Sequence, residues 1–269
     1  MKRIADYELT RVLGPGNHGT FYLAATPERL GHPEPTVALK ILDRHASDGE
    51  FKRMVAELRT LLALEHPNLV DIIDAGHDDG RLFYTMPYYA DGPLRYGPVD
   101  SNEAVIAAVS RVADVAEAAH ALHDIGVVHR DIKPANILLD RGRGLLTDLG
   151  VANFISSDFT ATGTSAVGSI AFADPTLLEG QPPGRATDIW SLAATLHVAL
   201  TGRYVMGEIP DHHLSAAIRH VFSAVPMVDD NCPAALLPVI ESAISRDRHE
   251  RPATALTFAY QLREACNDL

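Results

Sequence analysis

The hydrophobic pattern changes character along the chain. Near the start, "ELTRVL" (8–13) and "TFYLAA" (20–25) both read as strands, and the six residues between them, Gly14, Pro15, Gly16, Asn17, His18 and Gly19, include three glycines. Strand signals on both sides place this stretch at a β-hairpin tip, where glycine adopts backbone angles that other residues resist. A dinucleotide fingerprint would open a helix after its glycines instead. "TVALKIL" (36–42) is an apolar strand interrupted by Lys40, and the Pro-rich "TPERLGHPEPT" (26–36) is the loop that leads into it. The stretch from Ser47 then begins with a capping box, Ser47 and Glu50, and sets Phe51, Met54, Leu58, Leu61 and Leu62 at helical spacing, with Glu57 on the same edge. An inward lysine and an inward carboxylate each need a partner, so Lys40 and Glu57 form a candidate pair; an edge-strand lysine and an exposed glutamate are the bland alternatives. Beyond about residue 100 long helical patterns dominate, including one from near Ser101 and "DIWSLAATLHVAL" (188–200), where the lone Trp190 reads as core. The expected organisation is a small β-rich lobe up to about residue 86, joined near "TMPYYADGP" to a larger helical lobe.

Composition narrows the partners. The 269 residues are 46% hydrophobic and 22% charged, which suits one large globular unit or two lobes. A net charge of −12 disfavours nucleic acid and anionic membrane surfaces. The start lacks the apolar core of a signal peptide, and no apolar run reaches the ~18 residues needed to span a bilayer. Two cysteines, Cys232 and Cys266, make no disulfide framework, and none lies near His120, His123 or His129, so no zinc site is expected. These features fit a chain, complete or trimmed, in a reducing cytoplasm and without membrane contact of its own.

The chemistry concentrates in "GVVHRDIKPANILLD" (126–140). His129, Arg130, Asp131, Lys133, Pro134 and Asn136 are too polar for a core strand, and Pro134 breaks regular pairing, so they form a site-bearing loop. Eight residues after Asp140, Asp148 ends the next apolar run in "LLTDLG". Two acids and an amide at strand ends suit Mg²⁺, which favours hard oxygen ligands and substrate phosphates.

With the glycine loop, "VALK", "HRDIKPAN", "DLG" and "DIWSL" in this order, the chain resembles the eukaryotic-like Ser/Thr protein kinases of bacteria from about residue 7 to 265. The resemblance implies an α+β, bilobal protein-kinase fold: an N-lobe at about 1–86 with one regulatory helix, a hinge at about 87–92 and a mainly helical C-lobe at about 93–269. It implies that Gly14 to Gly19 cover the phosphates of ATP, that Lys40 binds phosphate and is oriented by Glu57, and that Asn136 and Asp148 hold Mg²⁺ or Mn²⁺. Asp131 is the implied base for a substrate hydroxyl, and Lys133 steadies the γ-phosphate. Phe21, Ala38 and Met86 line the implied adenine pocket, and backbone groups at Pro87, Tyr88 and Tyr89 meet the adenine edge. Arg130 is the implied sensor of an activation-segment phosphate, with Thr162 and Thr164 as candidate sites. The implied partners are ATP and proteins carrying Ser or Thr.

Three positions depart from the pattern. Leu149 replaces the usual phenylalanine after the metal-binding aspartate, and Phe21 stands where a valine is usual. Thr176 in "FADPT" (172–176) occupies the place of a glutamate that normally pairs with an arginine, matched here by Arg251 in "RDRHERP"; Glu179, three residues on, is the candidate substitute, and otherwise Arg251 is left to find water or another acceptor. Two other functions fit the same fold: a pseudokinase scaffold, which would be expected to lack one of Lys40, Asp131, Asn136 or Asp148, and a small-molecule kinase, which usually lacks the lysine of "HRDIKP".

Overall fold

The computed structural model describes residues 2–16, 19–45, 49, 64–148, 168–210 and 213–269. Asn17, His18, Glu57 with its expected helix, Leu149, Thr162 and Thr164 lie outside the described residues. The described chain divides into two compact units, one of residues 2–16, 19–45, 49, 64–65 and 70–90, the other of residues 66–69, 91–148, 168–210 and 213–269.

The first unit is a six-stranded antiparallel sheet. Its strands β1 (Lys2–Ile4), β2 (Tyr7–Gly16), β3 (Gly19–Ala25), β4 (Thr36–His45), β5 (Asp74–Asp78) and β6 (Arg81–Pro87) lie in the order β1-β2-β3-β4-β6-β5. Gly16 pairs with Gly19, so the glycine stretch closes a hairpin, as its flanks dictate. No side chain fits at Gly19, because a Cβ there would run into the carbonyl oxygen of Ile41 on the next strand. Alternation along β4 gives the sheet two faces. Val37 and Leu39 pack with Ile4, Tyr7, Ala24 and Phe83 into a closed core, in which Tyr7 and Phe83 meet edge to face at 5.6 Å. Ala38 and Lys40 point to the opposite face, where their cross-strand partners are Leu23, Phe21, Met86 and Tyr84. At the far edge Tyr7 Oη donates to Asp74 (2.7 Å), and Arg29 of the 26–36 loop bridges Asp6 (2.6 Å) and Asp74 (2.5 Å).

In the second unit, helix α1 (Asn102–Asp124) starts where Ser101 Oγ accepts the Ala104 amide (3.2 Å). Val105, Val109, Val112, Ala116 and Ala119 recur along its buried stripe. A β-hairpin follows, β7 (Ile137–Asp140) with β8 (Arg143–Leu146), then the short α2 (Pro175–Leu178) and α3 (Arg185–Thr201). Helix α3 is buried along most of its length, which is why it reads as apolar all round; Trp190 is fully buried, as expected of the core, and Gly202 (φ 73°) ends the helix in left-handed geometry. Helices α4 (Leu214–Ser223), α5 (Leu237–Ala243) and α6 (Ala255–Ala265) complete the unit.

Of the two alternatives for Arg251, another acceptor is the one that holds, and Glu179 as substitute is corrected. Glu179 does not pair with Arg251; it binds Arg246 at 2.9 Å. Arg251 is held instead by Asp174, through Nη1 to Oδ2 (2.8 Å) and Nη2 to Oδ1 (3.0 Å), with both side chains fully buried. Asp174 caps α2, where it also accepts from the amide and hydroxyl of Thr176. Arg248 adds bonds to Asp174 (3.1 Å) and Thr176 Oγ1 (2.8 Å). The acid has moved two residues earlier because a carboxylate at the N-cap can satisfy the helix start and the arginine together, whereas Glu179 follows the helix and faces outward.

Candidate active site

The polar loop of residues 129–136 lies wholly in the second unit, and a buried aspartate shapes it. Asp188, in the first turn of α3, accepts the backbone amides of His129 (2.8 Å) and Arg130 (2.8 Å) and meets His123 Nε2 (2.8 Å). These bonds hold Arg130 at φ 68°, a left-handed conformation that a branched-free but bulky residue seldom adopts unaided. The His129 ring is buried and pinned at both nitrogens. The Asp131 amide donates to Nδ1 (3.3 Å), which leaves Nε2 to donate to the Thr147 carbonyl (3.0 Å). The loop is thereby tied to the chain just before Asp148, itself at φ 64°.

Asp131 is partly exposed, and Asn136 and Lys133 orient its carboxylate. Asn136 Nδ2 donates to Asp131 Oδ2 (2.7 Å) and to its carbonyl (2.8 Å), and Lys133 Nζ lies 3.2 Å from Oδ2. Lys133 also donates to Ser169 Oγ at 2.7 Å. Asn136 sits in a 3₁₀ turn, Pro134–Asn136, in which the proline fixes the first position and needs no amide partner. Because both Nδ2 protons of Asn136 are committed to Asp131, Oδ1 is its side-chain acceptor for a cation. That donor set suits a divalent metal with hard oxygen ligands: the amide oxygen of Asn136 and the carboxylate of Asp148. Among the described residues no group of three or more His, Cys, Asp or Glu gathers into a self-sufficient metal cage. Two protein oxygens completed by substrate phosphates are what Mg²⁺ chemistry commonly uses.

In the first unit Lys40 is buried on the face opposite the core, with Nζ 4.9 Å from the centroid of the Phe21 ring and 5.9 Å from that of Tyr84. Gly14 takes φ 149°, and Gly16 lies against the Phe21 ring. Met86 is buried opposite Ala38 and Pro87 opposite Val37. Tyr88 Oη accepts from Arg11 (3.0 Å), which fastens the segment after β6 to β2.

The family described as Protein kinase domain matches residues 7–262. The chain belongs to that family. PknK of Mycobacterium tuberculosis, a serine/threonine-protein kinase, is 35% identical over 97% of this chain, and PrkC of Bacillus subtilis is 32% identical over 98%. The chain spans 24% of the length of PknK and 41% of that of PrkC. Among solved structures, the kinase domain of M. tuberculosis PknI is 25% identical, covers 98% of this chain and 97% of its own, and superposes with a TM-score of 0.71. The fold is accordingly the α+β protein-kinase fold of the bacterial Ser/Thr branch, whose members use ATP, a divalent metal and protein substrates. Sequence reasoning gave no role to Ser169, Asp174 or Asp188. Asp188 had a visible signal, an acid opening an otherwise apolar helix; Ser169 had none, since a hydroxyl in a small-residue stretch reads as loop.

Proposed function

We propose that this protein transfers the γ-phosphoryl group of ATP to serine and threonine hydroxyls of proteins. The observation that carries the reading is the Asp131 carboxylate, oriented by Asn136 and Lys133, with Lys133 in turn bonded to Ser169. As the substrate oxygen bonds to the γ-phosphorus and the bond to ADP breaks, Asp131 accepts the hydroxyl proton, and Lys133 offsets charge on the transferring group. Asn136 and Asp148 hold Mg²⁺ or Mn²⁺, which when bound neutralises phosphate charge. In the first unit Lys40, oriented by Glu57, and the amides of Gly14 to Gly19 bind phosphates; Phe21, Ala38 and Met86 line the adenine site. Pro87 has no N–H, so it offers the adenine only its carbonyl, and donors come from Tyr88 and Tyr89.

We assign the hinge to residues 87–92, with the lobes at about 1–86 and 93–269. The net charge of −12 supports protein rather than polyanionic substrates, and ATP supply and unpaired cysteines support a cytoplasmic setting. Among the described residues no helix is long and apolar enough to cross a membrane. Arg130 beside the base supports activation by a phosphate on Thr162 or Thr164.

One experiment tests the reading: the purified chain is incubated with labelled ATP and Mg²⁺, with and without a generic protein, and modified residues are mapped by mass spectrometry. Label on Ser or Thr is expected, including Thr162 or Thr164, and Lys40→Met and Asp148→Asn are expected to abolish it while folding normally. Equal incorporation by either variant at saturating ATP overturns the assignment; ATP binding without any transfer supports a scaffold instead.

A further inference from the structure

Phe21, Lys40 and Tyr84 form one row across the first unit's sheet, since Phe21 is the β3 partner of Lys40 and Tyr84 its β6 partner. Directly opposed residues on antiparallel strands project from the same face, so the lysine ammonium is flanked by an aromatic ring on each side. The two centroids lie 4.9 Å and 5.9 Å from Nζ, within the range of cation–π attraction. Lys40 and Tyr84 are almost fully buried, and that attraction grows when the cation is desolvated. The Phe21 ring also underlies the glycine hairpin: a methyl group at Gly16 would come 2.5 Å from Phe21 Cε2 and 3.3 Å from Lys40 Cε. A single ring therefore touches both the glycine strand and the lysine.

We propose that Phe21 is a positioning residue, whose ring acts with Tyr84 as an aromatic clamp on the Lys40 ammonium and as the seat of Gly16. The inference rests on the ATP-binding reading above and adds a residue-specific device to it. A ring holds a cation through its face without cancelling its charge, whereas a carboxylate neutralises what it holds. The flexible four-carbon stem of Lys40 is thus restrained by contacts that bring no negative charge of their own. Valine, the usual residue at this position in the family that the sequence resembles, supplies bulk but no π face. Any Glu57 contact with Lys40 acts in addition to the clamp.

The test uses the full chain with phenylalanines of increasing fluorine content at position 21, which withdraw π density at nearly constant shape. Two quantities are read: acylation of Lys40 by an amine-selective reagent in nucleotide-free protein at fixed pH, by mass spectrometry, and affinity for ATP with Mg²⁺, by calorimetry. Stepwise faster acylation and stepwise weaker ATP binding are expected, reaching about 2- to 30-fold across the series at an unchanged melting temperature. Phe21→Leu is expected to match the acylation rate of the most fluorinated member. Flat acylation and affinity across the series, in protein that binds ATP, overturn the clamp. If the wild type fails to bind ATP, the nucleotide reading falls, and the acylation series still decides the clamp by itself.

Discussion

At the scale of single residues, Asp174 and Arg251 show what a buried charge demands. Burial pushes the Asp174 carboxyl upward, but the hydrogen bonds and charge of Arg251, with the Thr176 bonds, outweigh it and hold the group below the usual carboxylate range. Removing Asp174 leaves the fully buried Arg251 without its carboxylate, and removing Arg251 leaves the buried Asp174 with Arg248 as its remaining guanidinium, each at a cost of about 3–5 kcal/mol. Asp174→Ala and Arg251→Ala are each expected to lower thermal stability by that order, and the double variant to lose little more than one single. Glu179→Ala and Arg251→Ala, by contrast, should add to within about 0.5 kcal/mol, because Glu179 binds a different arginine. Additive losses for Asp174 and Arg251 in the thermal cycle would contradict the pairing. Because the folded-state pKa is depressed, the stabilisation is present above the unfolded value near pH 4 and disappears as pH falls through the folded value. Acid melts of Asp174→Asn are therefore expected to lack part of the loss that wild type suffers below about pH 4.

At the scale of elements, the boundaries that local chemistry writes are the legible ones. Helix α1 begins after Ser101, whose hydroxyl satisfies an amide that has no partner within the helix. Ser101→Ala is expected to cost about 1 kcal/mol in urea denaturation and Ser101→Asp to restore it; no change on alanine substitution would show that the cap is silent. The β2–β3 hairpin was equally readable, because alternation and glycine are local signals. Illegible in the sequence were the turns around Arg130 and Asp148. The left-handed backbone of Arg130 is imposed from elsewhere, through an aspartate 58 residues further along the chain. The same holds for the arginine network: the spacing of "FADPT" pointed to Glu179 as the substitute acid, but only the capping geometry of α2 selects Asp174.

At the scale of the molecule, nucleotide and stability are linked by mass action, since a ligand that binds only the native state raises its stability. With Mg²⁺ and ATP at about 100 times Kd, wild type is expected to gain about 2.7 kcal/mol. Lys40→Met should show a smaller rise in melting temperature at the same ATP concentration, and Asp148→Asn a shortfall confined to samples containing divalent metal. The comparison is made by thermal melts with ATP, with and without chelator. Identical rises in all three proteins would separate these residues from the nucleotide.

By itself the sequence determined the strand and helix patterns, the order of the motifs and the residue types of the site, because periodicity, capping and the needs of phosphoryl transfer act through local side-chain chemistry. Lys40, Asp131, Lys133, Asn136 and Asp148 stood out as candidates for that reason. Tertiary structure decided which groups meet: Asp188 with the amides of the catalytic loop, Lys133 with Ser169, Asp174 with Arg251, and Lys40 between two rings. Each of those contacts joins residues distant in sequence, and its strength comes from burial, a property that no position along the chain carries until the chain has folded around it.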